Sequence, residues 1–165
     1  MELSIVTLGH VHTEDLAALQ VHFTRLEQLV LDIEPRAALA DHRAELNRAI
    51  DAGTADWVLI VREREIIDDA LAREIVAVIG AGNARGFRVR SIPFYLGRPL
   101  RIHVDDGELR LFHRRSLLRR GEMVVQGTVV RLTNVLRSVT FATVEEHRQH
   151  LAKQGHPRSA LGRTG

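Results

Sequence analysis

A chain of 165 residues, 45% hydrophobic and 27% charged, has the size and balance of one globular domain able to bury a real core. It has no cysteines, which excludes disulfides and thiolate metal sites, and no apolar run approaches the roughly 20 residues that cross a bilayer. The net charge of +2 hides a polarity: residues 1–80 carry 7 arginines against 15 acids, and residues 81–165 carry 15 arginines and one lysine against 6 acids.

Leu3 to Leu8 reads as a first strand, ending at Gly9-His10. Thr13 is placed to cap a helix whose apolar positions Leu16, Leu19 and Phe23 recur at spacings of three and four. Leu29-Val30-Leu31 is a short second strand closed by Asp32, and Pro35 marks a turn. A helix over residues 37–52 follows, with Ala38, Leu39, Leu46, Ala49 and Ile50 on one side and Gly53 as its stop. Trp57 to Val61, five apolar residues in a row, suits a strand buried on both faces. It gives way abruptly to Arg62-Glu63-Arg64-Glu65, and a helix follows from about Asp68 to Ile79. Ligands of open α/β sheets sit beyond such strand ends, whereas the plain reading of these four charges is a solvated corner of alternating surface ion pairs.

The alternation of strand and helix predicts a parallel sheet with crossover helices. The second half changes character. Phe87 to Ile92 alternates as a half-exposed strand, Pro93 and Gly97-Arg98-Pro99 break the chain, and Leu100-Arg101-Ile102 alternates again. Leu109 to Phe112 is a short strand, with Val124-Val125 and residues 129–132 as its expected partners in a small antiparallel appendage. Thr143 and Glu146 form a capping-box signature for a last helix to about Lys153, and residues 155–165 read as a frayed tail. The expected organisation is one domain over 1–154, with an acidic half over 1–80 and a basic half over 81–154.

Gly80-Ala81-Gly82-Asn83-Ala84-Arg85-Gly86 follows a helix rather than a strand, so it reads as a helix stop and not as a dinucleotide loop. The pairs His10/His12 and His147/His150 have no third ligand at a standard spacing. Arg114-Arg115 and Arg119-Arg120 flank Leu117-Leu118, but aromatics make up only 4% of the chain. Single-strand nucleic-acid binders interleave several, so a phosphorylated or anionic-lipid partner suits this cluster better.

The order of segments resembles bacterial family 2 glycosyltransferases, particularly the branch that elongates lipopolysaccharide cores. Asn47-x-Ala49-Ile50 followed by Asp56-Trp57-Val58-Leu59 is similar to a helix and strand of that family. Phe94-Tyr95-Leu96-Gly97-Arg98 resembles its Phe-Leu-Gly-Arg turn, and Asp106 to Arg115 its Arg-Leu-Phe segment. The resemblance implies an α/β fold, a reduced glycosyltransferase A (Rossmann-like) three-layer sandwich with a mainly parallel sheet. It implies a nucleotide-sugar donor, with Asp32 at the nucleotide base; Arg62 and Arg64 are the candidates for direct contact with its diphosphate. It also implies Asp106 as the base, and Arg98, Arg110 and His113 at the substrate. A cytoplasmic setting, peripheral to the inner membrane surface, goes with it.

The family's strand ends in Asp-Ala-Asp-Glu, whose carboxylates hold a divalent metal. Here those positions are Arg62, Glu63, Arg64 and Glu65, and arginine repels a cation, so a divalent metal is not expected. Three readings stay open. Arg62 and Arg64 replace the metal in a metal-independent inverting transferase. Alternatively, the protein is impaired or inactive as a metal-dependent transferase, or it is a non-catalytic binding or assembly module, as a homo-oligomer or beside an active transferase. For a working transferase, Asp106→Asn is expected to abolish transfer and leave donor binding intact, read by product formation beside a binding assay.

Overall fold

The computed structural model describes residues 1–96, 98–99, 107–118 and 124–141. Asp106, the alternation at 100–102, Arg119-Arg120, His147 and His150, the capping box with its final helix, and the tail lie outside the described residues.

In chain order the elements begin with β1 (Glu2–Leu8), a 3-10 turn (Thr13–Leu16) and α1 (Ala17–Gln20). Next come β2 (Arg25–Leu31), a 3-10 turn (Leu39–His42), α2 (Arg43–Ala52), β3 (Trp57–Arg62), β4 (Glu65–Ile66) and α3 (Asp69–Ala81). The basic half supplies β5 (Gly86–Val89), β6 (Ser91–Tyr95), β7 (Arg98–Pro99) and β8 (Glu108–His113). After a 3-10 turn (Arg114–Ser116) follow β9 (Leu117–Leu118), β10 (Val124–Val125), β11 (Val129–Arg131) and β12 (Leu136–Phe141).

Local chemistry explains the best-formed elements. Asp68 caps α3 by accepting the Leu71 N–H at 2.8 Å, and Gly82, at φ +68°, ends it in the left-handed conformation. Gly53 closes α2 by donating to the carbonyls of Ala49 and Ile50. The first helix is cut to a 3-10 turn and one α turn, and Thr13 does not cap it; His12 stands at the cap without a side-chain bond. Its apolar positions are nonetheless buried, as the spacing predicts: Leu16, Leu19 and Phe23 lie in the core.

The main sheet has six strands in the order β11-β5-β8-β3-β1-β2. β1 pairs in parallel with β2 and β3, but β8 runs antiparallel to both of its neighbours, β3 and β5. A second sheet has the order β4-β12-β6-β7, and β9 and β10 form a separate hairpin. Two apolar clusters fill the faces of the main sheet. Leu3, Ile5, Leu59 and Leu111 face α1 and α3 with Leu19, Leu71 and Ile75. Val6, Leu8, Val58, Ile60 and Phe112 face α2 and the hairpin with Leu46, Ile50, Leu117 and Val125.

This architecture overturns the expected reduced glycosyltransferase A sandwich with a mainly parallel sheet. The described residues are rich in strand, both larger sheets are mixed, and the three α-helices have only 4, 10 and 13 residues. Nor is β8 part of an appendage. Leu111 and Phe112 are consecutive and both fully buried, which demands a strand covered on two faces. The predicted strand 87–92 also divides, its two parts joining different sheets on either side of Arg90. Entry into β8 requires Gly107 (φ +89°), where an added Cβ would lie 2.6 Å from the carbonyl carbon of Val89.

Because Phe112 fills the middle of one face, Phe112→Ala is expected to cost about 3–5 kcal/mol, read from the midpoint of a denaturant titration.

Candidate functional site

The carboxyl ends of β1, β2 and β3 converge on one corner. Beyond β1, Gly9 (φ +82°) donates its N–H to the Leu31 carbonyl, which ties the end of β1 to the end of β2. Beyond β3, Glu63 donates its N–H to the Leu8 carbonyl, and its carboxylate accepts the His10 N–H at 3.0 Å. Arg64 sits at φ +69°, a left-handed position uncommon for a side-chain-bearing residue, and this turn throws the chain straight into β4.

The four charges that follow Val61 therefore part ways. Glu63 and Arg64 are exposed, while Glu65 is 2% exposed and the Arg62 side chain 13%. The reading of alternating surface ion pairs is corrected here: two of the four point inward, into a network. Arg110, also 2% exposed, meets Glu65 as a fork, with Nη1 on Oε1 at 2.8 Å and Nη2 on Oε2 at 2.9 Å. The Arg110 Nε donates to Glu108 at 3.0 Å, and Nη1 also reaches the Ile60 carbonyl at 3.1 Å. Glu65 further accepts the Arg62 N–H at 2.7 Å and the Ser91 hydroxyl at 2.8 Å. Arg62 turns its own guanidinium onto the carbonyls of Pro35 and Ala37, at 2.7 and 2.6 Å, and onto both oxygens of Glu108, at 3.0 and 2.9 Å.

Two arginines and two glutamates thus neutralise one another. Burial raises the pKa of Glu65, but the charge of Arg110 and hydrogen bonds from Arg110, Arg62 and Ser91 outweigh it and hold the carboxyl below its ordinary value. Burial likewise opposes the charge on Arg110, and Glu65 and Glu108 outweigh it, so its pKa is raised. Both shifts describe a pair that is ionised in the folded protein.

The other expected contacts are scattered. Asp32 lines a cavity of about 380 Å³ between β2 and α2, together with Leu29, Leu31, Ile33, Glu45 and Arg48. Arg98 is exposed on β7 of the second sheet. His113 lies at the opposite end of the main sheet, paired with Trp57 and packed edge-on against its ring at 5.4 Å. Arg114 is a tether: Nε donates to the Ala55 carbonyl at 2.7 Å and Nη2 to the Ser4 hydroxyl at 3.0 Å. The sequence singled out neither Glu65 as an anchor nor Ser91 and Glu108 as its neighbours. The signal was a lone arginine inside Leu109-Arg110-Leu111-Phe112, which as a central strand requires a buried acid nearby.

Among the described residues, no group of three or more His, Cys, Asp or Glu side chains is arranged to hold a metal ion. The chain matches no protein-family model and no curated protein.

Glu65→Gln leaves the Arg110 charge buried with half its counter-charge, so it is expected to cost about 3–5 kcal/mol in a denaturant titration near neutrality. A depressed carboxyl pKa contributes stability above the unfolded value of about 4.3 and loses it as pH falls through the lower folded value. The wild-type protein should therefore weaken in that acid range, and the Gln variant should show a flatter acid limb.

Proposed function

We propose that this chain is a glycosyltransferase-like protein impaired as a metal-dependent transferase, and that it acts as a non-catalytic binding or assembly module. The observation that carries this reading is the closed network at the corner. A divalent cation on a diphosphate needs carboxylate oxygens with free lone pairs. The Glu65 carboxylate already accepts four hydrogen bonds, and Glu108 meets two guanidinium groups. Arg62 holds down the loop after β2 and pairs with Glu108, which supports a structural role for it over a role at a diphosphate.

The ligand of such a module would enter at the cavity beside Asp32, where apolar Leu29, Leu31 and Ile33 stand with the carboxylates of Asp32 and Glu45 and the guanidinium of Arg48, a lining that suits a flat ring with N–H donors, such as the base of a nucleotide-sugar. Thermal-shift measurements across nucleotides and nucleotide-sugars, with and without manganese, test this. Stabilisation by a nucleotide that is independent of manganese and lost in Asp32→Ala is expected. A shift of several degrees that requires manganese, or sugar transfer to any acceptor, would overturn the reading.

A further inference from the structure

We propose that the β9–β10 hairpin and the arginines beside it form a docking surface for an anionic phospholipid bilayer. The inference is independent of the binding reading above, since it concerns the opposite end of the main sheet.

The hairpin has two faces. Leu117 and Val125, a directly opposed pair, turn into the core at 7% and 6% exposure. Leu118 and Val124, the other opposed pair, face outward at 46% and 48% exposure. An antiparallel ribbon with one face on a core ordinarily shows polar residues on the other. Here the outer face is apolar, on a ribbon hydrogen-bonded to neither larger sheet.

The surroundings are basic. Arg115 lies in the turn that leads into β9, and the Ser116 carbonyl accepts the Gln126 N–H at 2.7 Å, closing the base of the hairpin. Arg85 donates its N–H to the Thr128 carbonyl at 2.9 Å, and its Cγ lies 3.2 Å from where a Cβ on Gly127 would stand, just past β10. Arg88 follows on β5, on the same sheet face as Gly86, whose added Cβ would meet Val125 at 3.0 Å. All three arginines are exposed, and no described carboxylate pairs with them. The charges of Arg85 and Arg115 reach His113: burial lowers its pKa first, then Arg85, with Arg115 and Arg114 adding to the effect and Asp56 opposing it.

Exposed aliphatic side chains framed by cations match a bilayer that is negative at its surface and apolar beneath. Nucleic acid fits less well. The nearby rings of Trp57, Phe87 and Phe112 are buried and offer nothing for bases to stack on.

Sedimentation of the full chain with vesicles tests the proposal. Retention is expected on phosphatidylglycerol–phosphatidylcholine vesicles, weakening as salt rises, and not on phosphatidylcholine alone. Each arginine near an anionic surface contributes about fivefold in affinity, so Arg85→Gln with Arg115→Gln should lose at least about tenfold. Leu118→Thr with Val124→Thr should lose several-fold, and both double variants should melt as the wild type does. No retention, equal retention on neutral vesicles, or unchanged binding of the arginine variant would overturn it. So would a concentration-dependent oligomer in light scattering that the Leu118/Val124 variant abolishes, since the surface would then belong to a second copy.

Discussion

Glu65 stands where the two larger sheets meet, and the fold closes around its charge. It is a residue of β4, in the second sheet, yet its carboxylate is gripped by Arg110 from the centre of the main sheet and by Ser91 from β6. Isolated, either ion would be prohibitive to bury. Together, in a fork with the remaining lone pairs filled, they are tolerated, and removing one partner is far worse than never having had either. A well-packed apolar pair could hold the same space at equal or better stability. The distinctive contribution of the ionic pair is directional: it accepts only one relative placement of β4 and β8.

That placement governs the chemistry at the strand ends. With Arg62 and Glu108 added, the corner holds equal positive and negative charge and hydrogen-bonds inward. At the other end of the main sheet the accounting differs. Arg114 is drawn inside by Ser4 and Ala55, while Arg85, Arg88 and Arg115 remain at the surface. Among the described arginines of the second half, some are therefore internal cement and others form an outward field.

Much of the first half was legible. The run Trp57 to Val61 announced a strand covered on both faces, Asp68 and Gly82 bracket the longest helix, and Gly53 ends α2 where its position predicts. The second half misled because charge disguised burial. Arg110 was expected on a strand of a small appendage and at the substrate, although it is among the largest fully buried side chains of the described residues. The same disguise hid Glu65 within an apparently solvated Arg-Glu-Arg-Glu run. Sequence periodicity reports polarity, and a fully paired ion inside a protein is polar without being wet. The division of residues 87–92 between two sheets had no local mark, because it depends on partners some 40 residues downstream.

The position of β8 has a consequence for how the chain is made. It lies between β3 and β5, so the sheet is assembled out of chain order, and its middle place stays vacant until residues 108–113 have emerged from the ribosome. A nascent chain that has reached α3 holds β1, β2 and β3 with a long, oily flank on Val58 and Leu59 open to any passing strand. Closing that gap means bringing together segments about 50 residues apart, which is slow and leaves the growing polypeptide exposed to mispairing meanwhile. Synthesis speed through the stretch before β8, and chaperone cover over it, would then decide the yield of native protein more than the stability of the finished fold does.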